Sequence, residues 1–543
     1  MKLKKVLALG LAMLMTVSAF TACGNTDAKE SVVSSGSEKT SEKESQAAES
    51  ETTAEESEGI TFPLEEAMTF TGLTVLNGEQ YKLSECIAWT TAAEMGNLNF
   101  ELTEIPNSES KEKTSLLFAG EDYPEFIYKV NHDGYEEWGM EGLLIPLEDL
   151  IREYMPNLTA ILDERDGWNV ITSADGHIYT LPYITPSLLD NGGAPLWINK
   201  TWMDNLGLKE PTNLDELYDV LKAFKENDCN GNGDPNDEIP FTLTTDSSWY
   251  PARRFIQYVG DGLQMYTKYM AIMDGEMVFY PFTDSFKDNY LAYLKKLYDE
   301  EILDQNAFTQ THEQLHVLGQ SENIYGMFFA SNAYSCVPED YVKDYICLKP
   351  FSALPMTSGI GKNGMVITDK CENPEVLCAW VDYFYSEEGS RLATLGVEGV
   401  TYTLNDQGEW SLVEGANRQA EAINGTSNWA GMLSLDQYKI NSEEDPKTAW
   451  CYSQVYDAEE GLFASGKYGE VLPTLTYTEE EQKVVSQYES EIKAYVATYI
   501  AQVVTGQVDL EGSWDDFQKT LRDMHAEDLL AASQAAYARF IAE

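Results

Sequence analysis

The alternation of strand-like and helix-like segments over the first part of the body constrains the fold of this chain more than any other feature. Residues 70–76, 98–105 and 126–130 have the short apolar or alternating pattern of strands. Residues 83–95 and 108–119 have helical periodicity, and Ser108 is the expected N-cap of the second helix. A β-α-β-α-β order predicts a largely parallel sheet with helices on its faces. The predicted fold class is therefore α/β.

Helical periodicity continues along the rest of the chain, without an internal repeat. Further helices are expected at 214–226, 288–301, 374–384, 479–504, 514–525 and 528–541. The chain has 543 residues. Without its N-terminal signal and spacer, about 480 remain, which is enough for two or three ordinary domains.

The N-terminus has the features of an export signal. Lys2, Lys4 and Lys5 precede an apolar stretch over 6–20, which is short for a membrane span of about 20 residues. Small residues then lead to Cys23, and the sequence Phe-Thr-Ala-Cys at 20–23 resembles a bacterial lipobox, with Phe20 where Leu is usual. We expect a signal peptide over 1–22 and lipidation of Cys23 at the outer face of the cell membrane. Ordinary cleavage and release of a free protein is the alternative.

Residues 23–60 form the expected tether. Beyond Cys23 they are almost entirely Ser, Thr, Glu, Lys, Ala and Gly, without an aromatic residue, so they have too little apolar surface to fold. A flexible coil of this length reaches roughly 35 Å. Such a segment holds a domain away from a membrane to which only the lipid anchor attaches it.

Charge and cysteine content argue against a nucleic-acid partner and against a structural zinc site. The formal net charge is −55, which repels the phosphates of DNA and RNA, so no nucleic-acid partner is expected. Apart from Cys23, seven cysteines remain, and none stands in a C-x-x-C or finger-like spacing, which disfavours a structural zinc site. Disulfides are possible in an exported protein, but the sequence does not pair these cysteines.

Several motifs in order along the body resemble one family. The strand motif D-G-H-I-Y-T-L-P-Y stands at 175–183, W-I-N-K at 197–200, Y-L-K-K-L-Y at 293–298, G-V-E-G at 396–399 and Q-A-A-Y-A-R-F at 534–540. Together they resemble the large, saccharide-binding lipoprotein type of extracellular solute-binding proteins that serve ABC importers.

This resemblance implies a two-lobe periplasmic-binding-protein type II fold over 61–543, with a hinge and a ligand cleft between the lobes. We place lobe 1 at 61–190 plus 305–365 and lobe 2 at 191–304 plus 366–543. A ligand drives closure by binding the closed form better than the open form. The expected protein is a monomer that delivers its solute to membrane permease subunits. A surface sensor or adhesin with the same fold but no transport role is an alternative.

An acidic loop predicts a structural calcium site. In the sequence D-C-N-G-N-G-D-P-N-D-E at 228–238, oxygen-bearing side chains recur at every second position, and calcium prefers six to eight such ligands. The loop resembles the calcium loop of the same family, although the glutamate at position twelve of a full EF-hand is missing. The alternative is an acidic turn without metal. The expected ligands are the side chains of Asp228, Asn230, Asn232, Asp237 and Glu238, and the carbonyl of Asp234.

A competing motif is His312-Glu313-Gln314-Leu315-His316, a literal H-E-x-x-H. On a helix it places two imidazoles one turn apart with Glu313 as general base, as in a zinc metallopeptidase, and Glu322 would have to replace the missing third histidine. A polar helix with two surface histidines is the other interpretation. The resemblance favours this second interpretation, and we expect no enzymatic activity.

The expected ligand is an oligosaccharide, with a peptide or another small organic solute as the alternative. Aromatic rings pack against the C–H faces of sugars, and polar side chains bind the hydroxyls. Loop residues are better candidates than residues inside elements, although each of them could equally serve packing or solvation. The candidates are Asn77, Glu121, Asp122, Trp249, Tyr250, Asn332 and Trp429.

Overall fold

The computed structural model describes most of the chain after the expected tether. The described residues are 59–542, apart from 79, 166, 186–194, 246–254, 257, 260–263, 268, 352–353, 357, 425–439, 444, 466–467 and 472–474. The expected signal peptide, Cys23 and nearly all of the tether lie outside them. Among the described residues, no helix has the length and apolar character needed to cross a bilayer.

The strands are short, and several of them cluster in the first third of the body. They are β1 Met68–Val75, β2 Leu98–Ile105, β3 Phe126–Tyr128, β4 Leu181–Ile184, β5 Leu196–Asn199, β6 Gln264–Thr267, β7 Met270–Met273, β8 Glu276–Phe279, β9 Met327–Phe329, β10 Tyr345–Cys347, β11 Leu354–Met356, β12 Ile360–Ile367, β13 Tyr402–Leu404, β14 Trp410–Leu412 and β15 Tyr468–Val471.

Helices surround these strands, and the longest lie near the C-terminus. They are α1 Ile87–Gly96, α2 Ser110–Ala119, α3 Tyr135–Met140, α4 Glu148–Tyr154, α5 Pro156–Glu164, α6 Trp168–Ile171, α7 Lys200–Asn205, α8 Leu214–Glu226, α9 Ala292–Asp299, α10 His312–Ser321, α11 Pro374–Asp382, α12 Glu387–Leu395, α13 Arg418–Glu421, α14 Pro446–Ser465, α15 Glu479–Val504, α16 Leu510–Asp523 and α17 Ala526–Ala542.

The expected Ser108 cap was wrong. Residues 107–109 form a 3-10 turn that leads into α2, and Glu109 occupies the N-cap position without a side-chain hydrogen bond. By contrast, α8 and α15 begin and end at the predicted residues. Their caps are made by local side chains: Asn213 accepts from the backbone N–H of Glu216, and Thr478 forms a capping box with Glu481.

A five-stranded sheet with the order β2-β1-β3-β12-β4 organises the first lobe. Strand β1 pairs in parallel with both β2 and β3, whereas β12 pairs antiparallel with β3 and with β4. The parallel part of the sheet confirms the α/β fold class. The antiparallel β12 returns from a distant part of the chain, which the local pattern over 70–130 does not reveal.

Alternating side chains of this sheet enter two different hydrophobic clusters. Phe126 and Tyr128 pack in one cluster with α1, α4, α5 and α11, while Ile127 packs in the other cluster with Phe118 of α2. Successive side chains of a strand point to opposite faces, so both faces of the sheet are covered. This double cover explains why the central strand β3 is apolar and buried at every position.

The second lobe is built around a sheet with the order β10-β5-β9. Its residues 239–242 add parallel bridges to Tyr325, Leu303 and Phe328. One large cluster joins this sheet to α8, α9 and the C-terminal helices α15, α16 and α17. A separate antiparallel sheet, β6-β7-β8, packs on the same cluster.

The expected lobe boundaries differ from this arrangement for two segments. Residues 305–350 were assigned to lobe 1, but β9 and β10 pair with the two edges of β5 and therefore belong to lobe 2. Residues 366–424 were assigned to lobe 2, but α11 and α12 pack in the cluster of the five-stranded sheet. Among the described elements, the chain therefore crosses between the lobes after β4, between β10 and β12, and after α13.

Two contacts lie close to these crossings. Strand β11 pairs in parallel with β15. Nearby, Lys362 of β12 forms an ion pair with Glu136 at 2.6 Å, and its Nζ lies 3.5 Å from the hydroxyl oxygen of Thr476. Thr476 precedes α15, so this contact joins the two lobes through polar groups.

Candidate functional site

The carboxyl-terminal edge of the five-stranded sheet contains a topological switch point. From β1 the chain crosses to β2 on one side, and from β2 it crosses back past β1 to β3 on the other side. In open α/β sheets, ligands bind outside the carboxyl ends of the strands at such a point. The residues that follow β1 and β3 are therefore the first place to look for a binding site.

Asn77 and Lys129 meet at this edge. Nζ of Lys129 donates to Oδ1 of Asn77 at 2.7 Å and to the carbonyl of Ile423 at 2.8 Å, while Nδ2 of Asn77 donates to the carbonyl of Ala422 at 3.2 Å. Both side chains are buried, with Asn77 3% exposed and Lys129 4% exposed. Burial lowers the pKa of Lys129 to about 8. Asn77 thus joins the strand end to the segment beyond α13 rather than facing solvent.

A tight turn at Asn77 shapes a cavity beside this cluster. Asn77 and Tyr81 exchange backbone hydrogen bonds of 2.8 and 2.9 Å, and Gly78 between them has a φ of 55°. The turn brings Tyr81 into the wall of a cavity of about 280 Å³. The lining residues are Gln80, Tyr81, Lys82, Glu85, Ile87, Val400, Ala420 and Glu421.

In the second lobe, two polar groups lie beyond adjacent strand ends. Asn332 follows β9, and its Oδ1 is buried without a hydrogen-bond partner. The hydroxyl of Thr244 is also buried without a partner. Thr242 forms a parallel bridge with Phe328, so Thr244 and Asn332 follow neighbouring strands at one edge of the sheet.

The other candidate ligand residues are not brought to these edges. Glu121 and Asp122 are exposed and lie in the turn between α2 and β3, at the amino-terminal end of β3. That end is the sheet edge opposite to the switch point. Trp249, Tyr250 and Trp429 lie outside the described residues.

The acidic loop at 228–238 brings three of its expected ligands into contact, namely Asn230, Asn232 and Asp237. Asp237 accepts hydrogen bonds from the side-chain amides of Asn230, at 3.3 Å, and Asn232, at 2.5 Å. Both oxygens of Asp228 accept from backbone N–H groups, those of Gly231 and Gly233. The two glycines have φ values of 74° and 93°, which the tight turns require.

Glu238 and Asp234 are placed differently in this loop. Oε1 of Glu238 accepts from the backbone N–H of Cys229 at 2.6 Å, whereas its Oε2 is buried and has no hydrogen-bond partner. Burial raises the pKa of Glu238. The side chain of Asp234 turns to Asn236.

The donor set of this loop fits a hard cation, although the side chains are not arranged as a formed metal site. In the described part of the chain, no three His, Cys, Asp or Glu side chains are grouped closely enough to hold a metal ion. The loop does supply carboxylate and amide oxygens, and the unpartnered Oε2 of Glu238 is an acceptor that a cation would satisfy.

The H-E-x-x-H motif lies on α10 in the second lobe. The rings of His312 and His316 are 3.8 Å apart, and burial together with the neighbouring His312 lowers the pKa of His316 to about 4. Leu315 turns into the core, and Glu313 is exposed. Glu322 lies one residue beyond the helix, in extended backbone. The helix is therefore held by packing through Leu315, and its His316 is neutral at pH 7.

A family model decides the identity of the fold. The model for bacterial extracellular solute-binding proteins matches residues 92–391 of this chain. The chain belongs to this family. A solute-binding protein of this kind is not an enzyme, so the zinc-peptidase interpretation of α10 loses its support.

Related solute-binding proteins agree with this assignment. The fructooligosaccharide ABC transporter substrate-binding protein FusA of Streptococcus pneumoniae is 28% identical over 89% of this chain and 92% of its own length. The polygalacturonan/rhamnogalacturonan-binding protein YtcQ of Bacillus subtilis is 24% identical over 68% of this chain and 73% of its own.

Solved structures show the same fold. FusA in complex with kestose superposes with a TM-score of 0.69 at 24% identity, over 87% of this chain and 99% of that one. A solute-binding protein of Bifidobacterium longum subsp. infantis gives a TM-score of 0.74 at 20% identity, over 87% and 98% of the two chains. An EF-hand mutant of FusA with fructo-nystose is also similar, with a TM-score of 0.68 at 24% identity over 87% of this chain and 99% of that one.

Sequence reasoning missed Lys129, Tyr81, Glu421 and Thr244 in this solute-binding protein. For Lys129 a signal existed, because an ionisable residue stands inside the apolar stretch F-I-Y-K-V at 126–130. For the other three no local signal was available. Glu421 reaches the cavity only because the chain returns to the first lobe some 340 residues after Tyr81.

Proposed function

We propose that this solute-binding protein captures an oligosaccharide between its lobes and delivers it to the membrane permeases of an ABC importer. The observation that carries the proposal is the arrangement at the carboxyl-terminal edge of the five-stranded sheet. There the switch point, the hydrogen-bonded Asn77–Lys129 pair and the cavity beside Tyr81 lie together. The relatives FusA and YtcQ, both saccharide-binding proteins, support this ligand class.

The second lobe supplies groups that suit the same ligand. Oδ1 of Asn332 and the hydroxyl of Thr244 are buried without partners, which costs free energy until a donor reaches them. Sugar hydroxyls provide such donors when the lobes close. A ligand that contacts both lobes binds the closed form better, and this difference drives closure.

Titration calorimetry on the full chain, against neutral and acidic oligosaccharides, tests the proposal. We expect binding to at least one of them, with Asn332→Ala weakening it by about tenfold through a lost hydrogen bond. The paired change Glu121→Gln and Asp122→Asn, at the opposite edge of the first sheet, is the matched control and should leave the affinity unchanged. Absence of heat across the whole panel would reject the saccharide.

We further propose that the loop at 228–238 binds calcium and stiffens the second lobe. The side chains of Asn230, Asn232 and Asp237 meet through hydrogen bonds, and Asp228 supplies a further carboxylate in the same loop. Stabilisation by a ligand that binds only the folded state grows with its concentration. Calcium should therefore raise the melting temperature and a chelator should lower it, with Asp237→Asn insensitive to both. Identical melting curves for the wild type with and without calcium would rule the site out.

The outer face of the membrane remains our proposed location, with Cys23 lipidated and residues 23–60 as the tether. A Cys23→Ser variant should appear in the culture medium, whereas the wild type should stay with the cell membrane. Equal partition of the two proteins would show that Cys23 is not the anchor. We also expect a monomer, which light scattering on the purified protein measures directly.

A further inference from the structure

The cavity beside Tyr81 contains a charge arrangement that bears on which saccharides this protein accepts. Its wall combines the ring of Tyr81 with the apolar side chains of Ile87, Val400 and Ala420. Val400 is 48% exposed, although it belongs to a structured turn. In that turn the backbone N–H of Gly399 donates to the carbonyl of Tyr402 at 2.7 Å. An apolar wall of this kind suits the C–H face of a sugar ring.

The polar side chains that line the cavity differ in whether they have hydrogen-bond or ion-pair partners. Lys82 and Glu85 form an ion pair of 3.2 Å, so these two charges balance each other. The hydroxyl oxygen of Tyr81 accepts from Nδ2 of Asn417 at 3.1 Å, which leaves its proton available to a ligand. The carboxylate of Glu421 differs from these groups, because its Oε2 is buried and has no hydrogen-bond partner.

Nearby cations do not neutralise Glu421. Lys129, the buried lysine of the switch-point cluster, uses its ammonium on Asn77 and on the carbonyl of Ile423. The carbonyl of Glu421 itself accepts from the thiol of Cys86 at 3.1 Å, which fixes the backbone and leaves only the side chain without a donor. A buried carboxylate oxygen without a donor is costly, so the site is matched to a ligand that donates hydrogen bonds.

On the basis of the proposed function, we infer that this cavity binds one unit of a neutral saccharide, with Tyr81 against its ring and Glu421 accepting its hydroxyl protons. A uronic acid unit would bring a second carboxylate beside Glu421, and two like charges in a partly buried site repel each other. The cavity therefore selects neutral saccharides over acidic ones.

A metal ion does not suit the same cavity. Calcium takes six to eight oxygen ligands, whereas Glu421 is the one carboxylate of the described lining that is neither paired nor hydrogen-bonded. The described residues also show no group of three metal-ligating side chains here. Hydroxyl donors satisfy the carboxylate without further ligands.

The test is titration calorimetry with matched neutral and uronate oligosaccharides, namely fructo-oligosaccharides and oligogalacturonates of equal length, on the full chain. The wild type should bind the neutral series at least tenfold more tightly than the acidic one. Glu421→Gln should weaken neutral binding by about tenfold and leave or improve acidic binding, so the selectivity falls. Tyr81→Ala should weaken neutral binding by a similar factor.

Glu414→Gln is the matched control, because Glu414 is exposed in the same segment and does not line the cavity. Its affinities should equal those of the wild type. The inference is wrong, while the proposed function stands, if both Glu421→Gln and Tyr81→Ala bind saccharides with the affinity of the wild type. It is also wrong if the wild type prefers the acidic series. If the wild type binds no saccharide at all, the proposed function fails as well.

A separate titration tests whether the cavity binds a cation. Asp237→Asn disables the proposed calcium loop, so calcium titrated alone into this variant should give no binding heat. Heat that the additional change Glu421→Gln abolishes would assign the cavity to a cation.

Discussion

Replacing Lys129 with Met tests the energetics of the buried cluster at the switch point. Lys129 is 4% exposed, and burial lowers its pKa from 10.5 to about 8. At pH 7 the folded protein keeps this ammonium charged at a cost of about 3 kcal/mol relative to the unfolded chain. The bonds to Asn77 and Ile423 offset part of that cost. In Lys129→Met the cost of the buried charge disappears, but Oδ1 of Asn77 and the carbonyl of Ile423 lose their hydrogen-bond donor.

The pH dependence separates these two effects. Because the folded pKa lies below the unfolded value, the unfolded chain binds more protons between pH 8 and 10.5, and stability rises with pH across this range. From pH 7 to pH 9 the lysine contributes a gain of about 1.3 kcal/mol. Lys129→Met should lack this gain, while Cys86 and all other titrating groups are common to both proteins.

Urea unfolding at pH 7, 8 and 9, followed by circular dichroism and tryptophan fluorescence, measures the difference. Between pH 7 and pH 9, the free energy of unfolding of the wild type should rise by about 1.3 kcal/mol more than that of Lys129→Met. Parallel curves would refute the reasoning, since they would mean that Lys129 titrates at the same pH in the folded and unfolded chains.

Two further substitutions probe the packing of the first lobe by thermal unfolding. Asp382→Ala should destabilise the protein by about 2–4 kcal/mol, because the buried carboxylate accepts from the backbone N–H groups of Asn157 and Leu158 at 3.0 and 2.9 Å, where α5 begins. Asp382→Asn, which keeps one acceptor, should lose less, and equal losses would contradict the capping role. Gly389→Ala should cost about 2 kcal/mol or more, because its Cβ would lie 1.9 Å from a backbone carbonyl oxygen. Gly120→Ala, with its nearest neighbour at 3.3 Å, should change the stability little, and a loss as large as that of Gly389→Ala would show that close approach is not the cause.

Local signals were enough to place several elements of this solute-binding protein. Helices α8 and α15 match their predicted limits because strong amphipathic periodicity begins at a capping side chain. The prediction for α2 missed its start, because a 3-10 turn precedes the helix and Ser108 lies inside that turn. The middle helix begins in a π-helical stretch, Phe286–Leu291, before α9, and residue periodicity alone does not distinguish these forms.

The candidate site was less predictable than the elements. Asn77 was predicted correctly to lie after the first strand, but its bonds are to Lys129, 52 residues further along the chain, and to Ala422, 345 residues further along. Glu121 and Asp122 also stand in a loop, yet that loop lies at the opposite edge of the sheet. Loop composition is a local property, whereas the edge at which a loop lies depends on strand direction and order.

By itself, the sequence determined the net acidic charge, the α/β class and the family, because charge, periodicity and ordered motifs are written locally along the chain, and the export signal stays a prediction. Only the tertiary structure decided which segments share a lobe and which polar groups share a cavity. Strands β9 and β10 join β5, and Glu421 meets Tyr81, through hydrogen bonds and packing between residues far apart in the chain. Such contacts form because they bury apolar surface and satisfy backbone groups together, and that requirement has no signature in any single stretch of sequence.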